Sequence, residues 1–137
     1  MKQSKKLIFF LVCILIFFLV LNIYSFFKIW SIVEVREIDA SIIVSDKIGF
    51  DVSKESLTFG EVLIGSSSSR QMSIENNFKF PIRIYVYGKG VMKKFIVNSV
   101  IKIDEGKSKD VKVTAVIPKN TNFGRYEGKV VFEIRRI

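Results

Sequence analysis

Apolar residues fall in two different rhythms along this chain, and the change between them divides it. From Leu7 to Phe27 the sequence reads LIFFLVCILIFFLVLNIYSFF, without one charged residue. About 20 apolar residues on a helix cross the hydrocarbon core of a bilayer. This run therefore predicts one transmembrane helix, with bounds at 7–30. From Ile38 onward the period is two. Ile38, Ala40, Ile42 and Val44 alternate with Asp39, Ser41 and Ile43, which predicts a first strand within a juxtamembrane segment at 31–47. Between these, Lys28 to Glu37 leads out of the membrane, and a further turn or two of helix is expected there.

The two-residue rhythm continues to the C-terminus, broken by turn signals. Ser45-Asp46-Lys47 reads as a turn, Gly49 to Val52 as a short extended piece, and Lys54-Glu55 as a second turn. Leu57 and Phe59 belong to a further short strand. Gly65 and Ser66 to Ser69 read as a loop. Met72 and Ile74 alternate with Gln71, Ser73 and Glu75 before Asn76-Asn77. Ile82, Ile84 and Val86 alternate with Arg83, Tyr85 and Tyr87, and Pro81 suits the start of that strand. Short strands are expected near Phe95–Val97 and Val100–Ile103, with Asp104-Glu105-Gly106 as a hairpin-type turn. Val111, Val113 and Ala115 mark an inward face that ends at Pro118. Tyr126, Gly128, Val130, Phe132 and Ile134 mark the last one. Seven to nine short strands without helical period between them predict a mainly β chain. The expected fold is a single immunoglobulin-like antiparallel β-sandwich at 48–137, preceded by one N-terminal transmembrane α-helix.

Charge sets the expected orientation. Lys2, Lys5 and Lys6 precede the apolar run, so residues 1–6 are expected in the cytoplasm and the C-terminal portion outside it. The run is too long for the apolar core of a cleaved signal peptide, and Ile23 stands where the best cut, after Ser25, needs a small residue. An uncleaved single-pass anchor is the favoured reading. Four of the 22 basic residues flank the run, leaving 18 against 13 acids outside it. That moderate excess favours an acidic polymer or anionic surface over nucleic acid, which is not expected beyond a membrane.

Candidate chemistry is sparse. Histidine is absent, which removes the commonest general base and metal ligand. Cys13 lies inside the apolar run and reads as a small buried residue in lipid, so no disulfide staples the outer portion. Gly60 to Gly65 lacks the lysine and helix of a phosphate loop. No catalytic residue, metal site or cofactor is expected. Two surface features remain. Arg83, Tyr85 and Tyr87 share the outward face of one strand, the residue types from which interaction faces are built. The alternative is that a neighbouring loop covers that face. Lys89, Lys93 and Lys94 cluster at an expected hairpin end, either as a solvated tip or as a contact for an acidic partner or lipid headgroup.

Local signals follow in a fixed order: LTFGEVLIG, R-x-x-x-I-x-N, P-I-x-I, I-x-I-x-x-G-K-S, V-x-V-x-x-x-x-P and G-x-Y-x-G-x-V-x-F. This order, from Phe50 to Ile137, resembles the immunoglobulin-like modules of the ASPM/SPD-2/Hydin and major sperm protein type. It is most similar to the short membrane-anchored versions in archaeal surface proteins. The pieces read as structural. Phe59-Gly60 suits a ring packed under a sharp bend with positive φ, Asn76 a corner closed by its own side chain, and Tyr126 a hydroxyl-capped corner. The resemblance implies fold more than role. The expected role is a non-catalytic protein-binding or structural module of a cell-surface assembly, with the bilayer and an envelope protein as partners. The layout is similar to that of archaellum stator proteins. Alternatives are an accessory subunit of a membrane complex and a chaperone-like holder of extracytoplasmic chains. Exposed sheet edges offer a route to pair with a partner strand.

Overall fold

A computed structural model describes residues 2–46 and 56–137. The expected extended piece at Gly49–Val52 and the turn at Lys54-Glu55 lie outside the described residues, as does Lys47.

Helix α1 runs Lys2–Trp30. Within it, Ser4–Trp30 is long and apolar enough to cross a membrane. At 1.5 Å per residue its 27 residues extend about 40 Å, more than the ~30 Å of a bilayer core. Its large apolar side chains are exposed throughout, so no protein core claims them. Phe26 stacks on Trp30 near its C-terminal end, and the Ser31 hydroxyl donates to the Lys28 carbonyl, one of those a helix end leaves free.

The helix does not persist past this point. Strand β1 begins at Ile32 and runs Ile32–Ser45. Ile32, Val33 and Val35 are β-branched, stiff at χ1, and fit a pleated surface better than another helical turn. Six further strands follow: β2 (Leu57–Leu63), β3 (Ser67–Glu75), β4 (Ile82–Lys89), β5 (Ser99–Ile103), β6 (Ser108–Val116) and β7 (Gly124–Arg136). Five form one sheet in the order β2-β1-β7-β4-β5, and β3 pairs with β6 in a second. The result is the immunoglobulin-like two-sheet sandwich expected from the alternation. Because β1 lies between β2 and β7, the segment from Val33 is part of the sandwich, upstream of the expected start at residue 48.

The core lies between the sheets. Ile42 and Val44 of β1, Ile82, Ile84 and Val86 of β4, Val111, Val113 and Ala115 of β6, and Val130, Phe132 and Ile134 of β7 are all buried, as their alternation requires. Two details depart from simple antiparallel alternation. First, β1 and β2 run parallel, since the chain returns after Ser45 to begin β2 beside Ala40. Second, Ser41 pairs with Thr58 while Ile43 pairs with Glu61, so β2 holds one extra residue. Gly60 sits in that bulge at φ 76°, where a Cβ is disfavoured. The extra residue flips the alternation, so that Phe59 and then Val62 turn inward, while Glu61 stays off the core.

Three other expectations are corrected. Ser67 to Ser69 are strand, paired with Thr114 to Val116, and the turn is confined to the residues just before them. Pairing outweighs the weak strand propensity of serine, and the small side chains put hydroxyls to use. Ser68 donates to the Phe59 carbonyl across the sandwich edge, and Ser69 bonds Thr114. The segment near Phe95–Val97 is not a strand. A 3-10 helix, η1 (Gly90–Lys94), precedes it, and only Ile96 makes a bridge, to Ala115. Finally, Asp104-Glu105-Gly106 joins β5 of the large sheet to β6 of the small one, so it is a sheet-switching corner and not a hairpin turn.

Asn76 holds that corner and its own. Its amide donates to the carbonyls of Phe80, Ile103 and Asp104, and its Oδ1 accepts from the Phe78 N–H. Tyr126 caps the last loop by donating its hydroxyl to the Asn122 carbonyl at 2.8 Å.

Candidate functional site

The six residues expected at a partner contact separate into two places. Arg83, Tyr85, Tyr87 and Lys89 lie on the outward side of β4, as the alternation with buried Ile82, Ile84, Val86 and Gly88 demands. Lys93 and Lys94 lie on η1, beyond the end of that strand, and are solvent-exposed. A 3-10 turn replaces the expected hairpin end because Gly88 leaves room for it. An added Cβ there would come within 2.3 Å of the Met92 carbonyl oxygen.

On the outward face, β7 supplies the partners of β4. Register places Arg135 beside Arg83, Glu133 beside Tyr85, Val131 beside Tyr87 and Lys129 beside Lys89. The Arg135 guanidinium sits 5.1 Å from the centre of the Tyr85 ring and also bonds Glu133. The Tyr87 hydroxyl donates to the other Glu133 oxygen at 3.2 Å. Glu37 of β1 takes Lys89 on one oxygen and Lys129 on the other. Both tyrosines are half-buried, and Val131 is 2 % exposed although it points away from the core. Among the described residues, neighbouring strands supply the contacts that partly cover this face.

These contacts shift the ionisable groups in consistent directions. The hydrogen bond from Lys89 holds the Glu37 carboxyl below its ordinary pKa despite some desolvation, and Lys129 adds to this. The same bond raises Lys89. Burial raises the Tyr87 phenol, helped by its bond to Glu133. Among the described residues no group of three or more Cys, Asp or Glu converges as a metal site.

Beside this network the face is open at β5, the edge strand, where Val100 stands opposite Tyr85 and is 57 % exposed. Arg83 and Lys102, paired across the same two strands, are exposed as well. Val100 was not singled out by the sequence, although its two-residue spacing from Lys102 puts both on the same face of the strand.

No family model, curated protein or solved structure matches this chain. The reading of function therefore rests on the geometry above.

Two concavities lie away from this face. A cleft of about 380 Å³ opens between the sheets along Ile38, Met72, Ile74 and Phe132. Another, of about 220 Å³, lies between η1 and the loop before β7, lined by Lys94, Phe95, Pro118, Asn120, Asn122 and Tyr126 among others.

Proposed function

We propose that this chain is a non-catalytic, single-pass membrane protein whose immunoglobulin-like sandwich lies outside the cytoplasm and binds another protein of a cell-surface assembly. The observation that carries this reading is the junction itself. A helix apolar enough to span a bilayer ends at Trp30, and the first strand of the sandwich begins at Ile32. Such a chain tethers a folded module to a membrane. The lysines ahead of the span favour a cytoplasmic N-terminus, and the ordered motifs from Phe50 to Ile137 support kinship with the ASPM/SPD-2/Hydin and major sperm protein type of module.

The contact face is the outward side of the β4–β5 ladder. Tyr85 and Arg83 with Val100 and Lys102 combine a half-buried ring, an arginine and an apolar centre, the make-up of binding hot spots. Tyr87 and Lys89 support this face from below through Glu133 and Glu37, so preorganisation is their share. The test is photo-crosslinking in native membranes from residues replacing Arg83 or Lys102, with Gln71 on the other sheet as control. One envelope protein captured from 83 and 102, and not from 71, is the expected result. Equal capture from all three positions, or capture from none, sinks the assignment of this face. External protease that spares the sandwich on intact cells, while cutting a known external control, sinks the orientation.

A further inference from the structure

We infer that the cleft between η1 and the 117–123 loop is a binding site for a uronic-acid unit of an acidic glycan. It lies at the end of the sandwich opposite the start of β1. Ser45 at the far end of β1 pairs with Leu63, and the turn that follows Leu63 is bonded to Ile117, since Gly65 donates its N–H to the Ile117 carbonyl. At about 3.3 Å per residue, the 14 residues of β1 put this tip roughly 40 Å along the strand from its first residue. The inference rests on the reading that the sandwich is extracytoplasmic, where such glycans occur, but not on the β4–β5 contact face.

The tip carries uncompensated positive charge. Lys93, Lys94 and Lys119 form no ion pair among the described residues, whereas Arg125 nearby is held by Glu127. Lys94 lines the cleft and no carboxylate does. A bare cationic tip would take any anion. The remaining lining narrows the choice. Asn120, Thr121 and Asn122 line the cleft with three consecutive neutral side chains, and none of these side chains makes a hydrogen bond within the described residues. Amides and a hydroxyl can each donate to and accept from sugar hydroxyls. The half-buried Tyr126 ring, held edge to face at 5.1 Å by the buried Phe95, gives the cleft an aromatic surface for the apolar side of a ring. The Tyr126 hydroxyl is already committed to the Asn122 backbone carbonyl, which ties the loop to that ring. A cleft of about 220 Å³ lies below the ~300 Å³ at which pockets for drug-sized ligands begin, so it suits one ring unit. Phe123, 65 % exposed beside it, extends the apolar surface toward a neighbouring unit.

The test uses the full chain in zwitterionic lipid nanodiscs, titrated with trigalacturonate, with maltotriose and triglutamate as neutral and non-sugar controls. Saturation-transfer NMR on the ligand reads binding. Trigalacturonate is expected to bind at least tenfold more tightly than either control. Lys94→Ala and Asn122→Ala are each expected to weaken it about fivefold or more, while Lys107→Ala, at the other end of the sandwich, leaves it unchanged. Far-UV circular dichroism confirms that the variants fold. Absence of trigalacturonate binding, equal binding of triglutamate, or indifference to both cleft variants each overturns the proposal. Binding to the purified protein can fail while protease on intact cells still cuts the sandwich, so loss of the site and loss of the topology are told apart.

Discussion

Replacing Asn76 with alanine tests how much of the sandwich depends on one polar side chain. Asn76 is 0 % exposed at the meeting of two corners. Its side chain makes four contacts, three as donor and one as acceptor. An amide has two N–H groups, so one of them is shared between carbonyls. The backbone of the same residue closes the corner from the other side, accepting from Gly106 and donating to Lys107. Alanine takes the side-chain partner from the Phe78 N–H and from the Phe80, Ile103 and Asp104 carbonyls. Two N–H groups and one oxygen amount to three full bonds, at about 1 kcal/mol each where water can enter and more at the fully buried Ile103 carbonyl. The total is therefore at least about 3 kcal/mol, against the roughly 5–15 kcal/mol that holds most domains folded.

The assay is urea unfolding of the full chain in micelles, followed by far-UV circular dichroism at a wavelength dominated by strand. With a slope of about 1.5 kcal/mol per M, Asn76→Ala lowers the midpoint by about 2 M. Asn76→Asp is the sharper control. It keeps the acceptor, removes both amide hydrogens and turns a carboxylate toward three carbonyl oxygens. It destabilises more than alanine at neutral pH. Burial and the carbonyls raise the pKa of the introduced carboxyl in the folded state, so its penalty shrinks as pH falls toward 4. A midpoint shift below about 0.7 M for Asn76→Ala, or an aspartate variant as stable as wild type at pH 7, refutes this account of the corner.

Two further outcomes follow from other contacts. Gly88→Ala drives a Cβ into the backbone of Met92 and Lys93, which cannot swing aside as a side chain end can, so a loss of about 3 kcal/mol is expected in the same urea assay. Glu37 is an acid whose folded pKa is depressed by Lys89. Its contribution is therefore present above the unfolded carboxylate value near 4.3 and is lost as pH falls through the lower folded one. Glu37→Gln should flatten that part of the acid limb, and 1 M salt should do the same to wild type, because the pair is exposed and screened. The limb is read from urea midpoints between about pH 5 and pH 3.

Much of this fold was legible because burial on one face of a strand writes itself into alternate residues. Ile82, Ile84 and Val86, or Val130, Phe132 and Ile134, announce their inward face without any knowledge of the partner strand. The helix was legible for the opposite reason, since an uninterrupted apolar run has no inside. What could not be read depends on pairing across long sequence distance. Nothing local in Ser67 to Ser69 says that Val116, Ala115 and Thr114 will lie beside them. Likewise, the turn residues of Asp104-Glu105-Gly106 suit a hairpin, and only the placement of β6 beside β3 makes them a passage between sheets. The bulge shows both cases at once. Gly60 could be expected at positive φ, but its consequence, the shift of alternation from Phe59 to Val62, needs the register with β1 to be seen.

The candidate site divides for a reason that one glycine makes concrete. Arg83, Tyr85, Tyr87, Lys89, Lys93 and Lys94 are close in sequence and all polar or amphipathic, so in sequence they look like one basic, aromatic surface. In the fold, Gly88 lets the chain turn down immediately after β4, with Met92 buried against the strand it has just left. Gly128 on the neighbouring strand makes the same concession, since a Cβ there would meet Met92 at 2.9 Å. Gly88, paired with Val130, and Gly128, two residues further along β7, thus form the seat of η1. That seat sends Lys93 and Lys94 to the tip beside Asn120 and Asn122, and leaves the tyrosines on the sheet with Glu133 and Arg135. A protein contact on the sheet and a ligand contact at the tip can then be lost independently. Variants at Arg83 should leave trigalacturonate binding intact, and variants at Lys94 should leave protein capture from position 102 intact.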